Sequence, residues 1–222
     1  MGTYHQYCAT ARTLDLIGER WTLLIIRELL TGPRRFGDFQ QSLRGLGTGL
    51  LAARLKHLEQ EGLVHKVTLP APARTPAYAL TEAGEELAPA VLALARWGMK
   101  WALGERRDGE LFHPGWAVLG LRACFNAEAA EGVRATYEFR VDGEVFHARV
   151  SDGAIDTVHG PAQYPDAVIE TDSDTFLKVS AGKVQLADQI HEGAVTATGD
   201  PATIARLQSL FRLPTPRSRI PQ

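Results

Sequence analysis

The sequence predicts an α+β chain in two parts: a small helical half closed by a hairpin, then a half built of sheet and helix. Three observations predict it. Leu51, Leu55 and Leu58 recur at steps of four and three, which marks one buried helix face. Gly62 stops that helix, since glycine takes a left-handed cap without a Cβ penalty, and two short apolar runs, 64–69 and 77–80, flank the proline-rich loop PAPARTP. Further on the spacing changes from helical to alternating: Val133, Ala135, Tyr137 and Phe139 share one strand face, and Asp142-Gly143 and Asp152-Gly153 read as hairpin turns. Charge divides along the same line. Residues 1–80 hold 10 Lys+Arg against 6 Asp+Glu, and residues 110–213 hold 8 against 15. Only the basic front half is suited to meet a polyanion.

The front half is read as follows. A first short helix spans 9–17, with Leu14 and Ile17 facing inward and Gly18 ending it. Residues 21–30 are strongly apolar; Leu23, Ile26, Leu29 and Leu30 make a broad stripe that Gly32-Pro33 terminates. Arg34-Arg35 precede a third helix with Phe36, Phe39 and Leu43 at buried spacing, and the loop 44–47 leads into the helix of Leu51, Leu55 and Leu58. Short helices, a further helix and then a basic-tipped hairpin are the order of a winged helix-turn-helix. In that arrangement the last helix enters the major groove, and Arg74 at the wing tip reaches the backbone or minor groove.

Thr81 caps the next helix, whose first turn carries Glu82, Glu85 and Glu86 where the dipole favours negative charge. Leu87, Val91, Leu94 and Trp101 continue on one side, and Pro89 predicts a kink or restart. An apolar helix after a complete small domain needs a cover. A second copy of the chain is the expected one, because winged-helix proteins generally read two half-sites. Residues 1–103 are therefore expected to form a DNA-binding and dimerisation domain, and 104–115 a linker. Residues 116–213 are expected to form an α+β domain with strands near 132–139, 145–150, 155–158, 167–171 and 195–198. Asp172 caps a helix to about 181, a second helical piece runs over 184–190, and Asp200-Pro201 opens a last helix with Ile204, Leu207, Leu210 and Phe211. Residues 214–222 read as a disordered tail.

Composition bounds the class. Apolar content of 45% and charged content of 23% are those of a soluble globular protein. Two cysteines, Cys8 and Cys124, are too few for a disulfide framework and fit a reducing cytosol. The N-terminus lacks the charged and apolar regions of a signal peptide, and no apolar run approaches the ~18 residues of a membrane span, so a cytoplasmic protein without membrane contact is expected. None of the seven histidines forms a ligand spacing, and the sequence has neither a glycine-rich phosphate loop nor a G-x-S-x-G elbow. No metal, cofactor or catalytic residue is expected, and the chain is not read as an enzyme. His147 with Glu144 nearby can be drawn as an acid–base pair, but an exposed strand face is the preferred reading.

With the motifs placed, the front half resembles a known family. Tyr7-Cys8, Leu14-Asp15-Leu16-Ile17-Gly18-x-Arg20-Trp21-Thr22, Arg35-Phe36-x-Asp38-Phe39, Leu51-x-x-Arg54-Leu55-x-x-Leu58-Glu59-x-x-Gly62-Leu63-Val64 and Tyr78-x-Leu80-Thr81-x-x-Gly84 together resemble the HxlR family of bacterial transcriptional regulators over about residues 7–103. The resemblance implies a homodimer with a winged helix and dimerising terminal helices. Two positions depart from the family pattern: Ala9 follows Cys8 in place of Pro, and Gly47 stands where Ser is usual near the helix start, leaving Thr48 as the expected cap. The back half resembles a sterol-carrier-protein type domain through Val141-Asp142-Gly143, Ala167-x-Ile169-x-Thr171-Asp172, Gly182, Gly193 and Gly199-Asp200. Such a domain implies an apolar cavity between sheet and helices and a hydrophobic small-molecule effector.

The candidate DNA contacts are Arg34, Arg35, Thr48, Gly49, Ala52, Ala53, Arg54, Lys56, His57 and Arg74. Ala52, Ala53 and the Thr48 methyl suit thymine methyls, while the cations suit phosphates. The candidate cavity lining is Tyr137, Phe139, Phe146, Phe176, Leu177, Leu186 and Ile190. Some members of the family sense oxidants or electrophiles with the cysteine that matches Cys8. Here a Cys8 that contributes little is the preferred reading, and Cys124 reads as inert. The whole is read as a homodimeric regulator of double-stranded DNA, bound at a palindromic operator and modulated by a hydrophobic molecule. The alternative is a lipid or hydrophobic-ligand carrier, or an enzyme-associated protein, that uses the winged helix only to dimerise. The groove-side cations Arg34, Arg35, Arg54, Lys56 and Arg74 discriminate against it, since a dimerisation module needs none there.

Overall fold

The computed structural model describes residues 3–103, 107, 109, 110 and 112–212. The chain forms two compact units that divide between Val91 and Leu92. The expected linker at 104–115 falls partly, and the expected tail at 214–222 wholly, outside the described residues.

In the first unit α1 (Ala9–Ile17), α2 (Thr22–Leu29), α3 (Phe36–Ser42) and α4 (Thr48–Gln60) precede an antiparallel hairpin of β1 (Val64–Thr68) and β2 (Pro76–Leu80). Its core is made by the apolar stripes of these helices: Ile25 and Ile26 from α2, Phe39 from α3, and Leu51, Leu55 and Leu58 from α4, all sealed from solvent. Burying each such side chain stabilises the fold by about 1.5–3 kcal/mol relative to leaving it exposed. The backbones of Arg34 and Tyr78 exchange two hydrogen bonds, at 2.9 and 2.8 Å, which ties the segment before α3 to the wing. This is the arrangement of a winged helix-turn-helix.

Two local expectations need adjusting. Leu14 faces the same side of α1 as Ala11 and Ile17 by helical spacing, yet it is 41% exposed. It overhangs the core edge, and Ala11 rather than Leu14 is buried with Ile17. Thr48 is the first helical residue of α4, not its cap. Gly47 is the N-cap and offers no side-chain acceptor. After β2 the helix restarts, as Pro89 predicts: α5 (Glu82–Glu85) is followed by α6 (Ala88–Trp101). Pro89 falls in the first turn of α6, where its missing N–H has no bond to lose. Thr81 caps α5, its hydroxyl accepting from the Gly84 N–H at 3.2 Å and donating to the Gly62 carbonyl at 2.6 Å.

The second unit takes in α6 from Leu92 onward, then a 3-10 turn at Pro114–Trp116 and α7 (Ala117–Cys124). There follow β3 (Arg134–Val141), β4 (Glu144–Ser151), β5 (Ala154–His159), β6 (Ala167–Thr171), α8 (Ser173–Ser180), α9 (Leu186–His191), β7 (Thr196–Gly199) and α10 (Pro201–Leu210). The sheet order is β5-β4-β3-β6-β7, antiparallel except between β3 and β6. Both hairpin turns place their Asp and Gly at positive φ, as two-residue connections demand. Strand alternation sends Ala135, Tyr137, Phe139 and Val141 into one core with Phe146, Ala148 and Val150. Asp172 and Asp200 cap α8 and α10, accepting from Thr175 N at 2.8 Å and Thr203 N at 2.7 Å.

The other sheet face is not simply solvated. Glu138 and His147 lie opposite each other across β3 and β4, and both are buried. Glu138 accepts from Arg140 and from the Ala162 N–H, while His147 Nδ1 lies 2.8 Å from the Gly160 carbonyl. The connection from β5 to β6 covers them. The exposed-strand reading of His147 is therefore corrected. The Glu144 carboxylate lies 3.7 Å from His113 Nε2 instead.

Candidate nucleic-acid interface and apolar recess

The side of α4 opposite its leucines presents Thr48, Gly49, Ala52, Ala53, Lys56 and Gln60 to solvent. Small side chains dominate it, so the helix backbone is uncrowded on its outward side. Lys56 has no ion pair among the described residues, and neither does exposed Arg35 or exposed Arg74. Arg74 lies on the wing loop between Leu69 and Thr75, whose backbones are joined by a hydrogen bond of 3.0 Å. Its φ is +38°, a left-handed turn conformation.

The remaining expected cations are not free in this way. Arg54 Nη2 is 2.8 Å from the Glu19 carboxylate, and the side chain is only 14% exposed. His57 Nε2 sits 3.1 Å from the Leu16 carbonyl. Both tie α4 back to the α1 region rather than standing outward. Arg34 is intermediate: its Nη2 donates to Thr31 Oγ1 at 2.6 Å, and it is half-buried. Sequence spacing offered both Arg54 and His57 to DNA. It could not show that Glu19 and Leu16 would lie within reach.

α6 carries an apolar surface of its own. Leu94 and Trp97 are 55% and 50% exposed. Its later turns also hold α7: Arg96 Nε donates to the Ala123 carbonyl at 2.9 Å, and Cys124 Sγ lies 3.3 Å from Met99 Sδ.

In the second unit a partly open apolar recess lies between the sheet and α7, α8, α9 and α10. Of the seven expected lining residues, Phe139, Phe176 and Leu186 line it. Tyr137 and Phe146 are instead sealed in the core. Phe146 stacks under Phe139 at 5.3 Å, and the Tyr137 hydroxyl donates to the Thr203 carbonyl at 3.2 Å. Burial pushes the Tyr137 phenol up to about 12. Ile190 packs against the core beside the recess, and Leu177 lies off it. The sequence reading missed Leu121, Ile169, Val195, Leu207 and Phe211 as lining. The amphipathic spacing of the last helix already pointed Leu207 and Phe211 inward. The enclosed part of the recess has room for only a few water molecules.

The two cysteines differ in kind. Cys8 is exposed at the N-terminus of α1, and the backbone N–H of Ala11, then that of Thr10, hold its thiol below the ordinary value. Cys124 is buried, and burial pushes its thiol up to about 12 against the opposing pull of Arg96. Among the described residues no three His, Cys, Asp or Glu side chains gather as a metal set, and no helix is long and apolar enough to cross a membrane.

Residues 16–106 match the HxlR-like helix-turn-helix family. Residues 120–220 match the alkyl sulfatase C-terminal family, which is not the sterol-carrier description that the turn pattern implied. An uncharacterized HTH-type transcriptional regulator of Mycobacterium tuberculosis is 42% identical over 90 residues, 40% of this chain and 56% of that protein. The uncharacterized HTH-type transcriptional regulator YvaP of Bacillus subtilis is 34% identical over 90 residues, 40% of this chain and 83% of YvaP. The chain thus spans little more than half the length of the mycobacterial relative and most of YvaP. Among solved structures, the reduced form of the redox regulator HypR is 31% identical, with 41% of this chain and 90% of that chain covered and a TM-score of 0.38.

Proposed function

Because the chain belongs to the HxlR-like helix-turn-helix family through residues 16–106, we propose that it is a DNA-binding transcriptional regulator. The observation that carries the reading is the outward face of α4, where Lys56 stands among Thr48, Gly49, Ala52 and Ala53, all exposed. A slim helix face with one cation fits a major groove about 12 Å wide. The methyls of Thr48, Ala52 and Ala53 meet thymine methyls, and Arg35, Lys56 and Arg74 hold phosphates. Arg34 adds a phosphate contact from its half-buried position. Arg54 and His57 position α4 from behind and leave the groove to the small residues.

The active species in this reading is a homodimer on a palindromic operator. Exposed Leu94 and Trp97 on α6 supply the apolar surface that a second copy covers. The second unit is the effector domain: an apolar ligand in its recess alters DNA affinity, and DNA alters ligand affinity by the same factor. In the carrier alternative the exposed cations Lys56 and Arg74 have no task.

The reading is tested by footprinting the full chain on its own genomic DNA, with and without a hydrophobic extract of the source cell. Protection over two half-sites about one helical turn apart, changed by the extract, is expected. A chain that protects no sequence, with or without extract, contradicts it.

A further inference from the structure

The chemistry of the recess lining narrows what it holds. Its floor is carbon, with Phe139 and Ile169 from the sheet and Leu207 from α10. Its polar lining is uncharged: Thr171, Ser180 and Gln208. Thr171 is already engaged, its hydroxyl donating to the Ala194 carbonyl at 2.9 Å. Ser180 and Gln208 are half-buried, and neither side chain has a hydrogen-bond partner among the described residues. Ser180 on α8 and Gln208 on α10 thus bring an uncommitted hydroxyl and amide to the lining of a cleft otherwise made of rings and branched aliphatics.

We propose that the recess binds a small neutral amphiphile, a short aliphatic or single-ring skeleton with one hydroxyl or amide that pairs with Ser180 and Gln208. The proposal rests on reading the second unit as a ligand-binding domain, and it names the ligand class. Three physical arguments select that class. An ionised head group would lose its water with no opposite charge in the lining to replace it, which disfavours acids and amines. A pure hydrocarbon would strip water from Ser180 and Gln208 and return no hydrogen bond. A sterol or a two-chain lipid exceeds an enclosed space that holds a few waters. A small skeleton also suits the ring geometry, because Phe139 meets both Phe176 and Phe211 edge-on, at 82° and 83°, and so walls the cleft with ring edges and faces.

The test uses the full chain and one skeleton with three head groups: hexan-1-ol, hexanoate and hexylammonium, titrated by calorimetry, with a fluorescent sterol as a fourth probe. Hexan-1-ol should saturate at one site per chain, and both ions should bind at least about tenfold more weakly. Gln208→Leu and Ser180→Ala should each weaken hexan-1-ol by about fivefold, the typical worth of one neutral hydrogen bond, with the thermal transition unchanged. Equal or tighter binding of either ion, stoichiometric sterol binding, no saturable hexan-1-ol binding, or full affinity in both variants would overturn the proposal. DNA affinity measured in the same solutions separates the two readings. Saturation of the recess with unchanged DNA affinity supports the site and contradicts the effector role.

Discussion

Arg54 and Glu19 clasp each other, with 2.8 Å between guanidinium Nη2 and carboxylate Oε2, on the inner side of the helix that the proposed function places in the groove. A cation that sequence spacing offers to DNA is thus committed to holding α4 against the segment between α1 and α2. Arg54→Ala should lower the stability of the chain by ~1 kcal/mol, the upper range for a partly exposed pair. Chemical denaturation reads that loss directly. The salt dependence of DNA binding should not change in this variant. A flattened salt dependence at full stability would return Arg54 to the phosphates.

The cysteines should separate cleanly by pH. Cys8 has its thiol lowered by the N–H groups of Ala11 and Thr10, so its thiolate is populated below the pH at which an ordinary thiol ionises. Burial raises the Cys124 thiol to about 12. Alkylation of the native chain should therefore label Cys8 alone, at a rate that rises with pH and reaches its half-maximum at a lower pH than that of an ordinary thiol, with Cys124 silent until unfolding. Mass spectrometry of labelled peptides checks this. Cys8→Ser should leave DNA affinity nearly unchanged under mild oxidant, because a reactive thiol is a switch only if its oxidation moves α4. Loss of DNA in the wild type under diamide, absent in the Ser variant, would contradict this.

Gly84 is held by close approach rather than by a special φ. A Cβ there would run into the Leu63 carbonyl and sit 2.9 Å from Leu80 Cδ2. Gly84→Ala should cost about 3 kcal/mol, at the upper end for overpacking, by prising α5 away from the wing. Gly49→Ala, on the open outer face of α4 with nothing near its Cβ, should instead stabilise by up to ~1 kcal/mol, the helix-propensity difference. Thermal melts of the two variants should move in opposite directions.

The caps of the second unit predict its acid behaviour. Asp172 is held below the usual carboxylate range, first by the Thr175 N–H, and Asp200 first by the Thr203 hydroxyl. Folded values below unfolded ones mean that each cap's contribution is present above the unfolded pKa and lost as pH falls through the folded one. Stability of the wild type should fall below about pH 4. Asp172→Asn with Asp200→Asn, which keeps a capping oxygen but removes the charge, should make that fall shallower.

The elements were legible because their signals are local. Helical spacing of Leu51, Leu55 and Leu58 and the caps at Thr81, Asp172 and Asp200 depend on neighbours a few residues away, as does the positive-φ Asp-Gly turn at 142–143. What escaped was tertiary. No spacing tells that Glu19 would reach Arg54, or that the connection after β5 would fold over His147 and bury it with Glu138. The recess shows the same division. Alternation put Phe139 on one strand face, but only packing decides that Phe139 lines the space while Phe146 lies beneath it. Leu14 shows the converse, since its spacing says inward while 41% of it stays exposed.

The central claim is that the outer face of α4 and the wing tip contact DNA through Lys56 and Arg74. It is tested most directly by measuring the affinity of the full chain for a DNA site it selects from a random pool, as a function of salt. The account predicts a log-log slope of about −0.9 for each phosphate neutralised. In Lys56→Ala with Arg74→Ala, binding should weaken across all sequences, and the slope should shrink by about 1 for each cation removed. Salt-insensitive binding, or a double variant that binds with the wild-type affinity and slope, would contradict it.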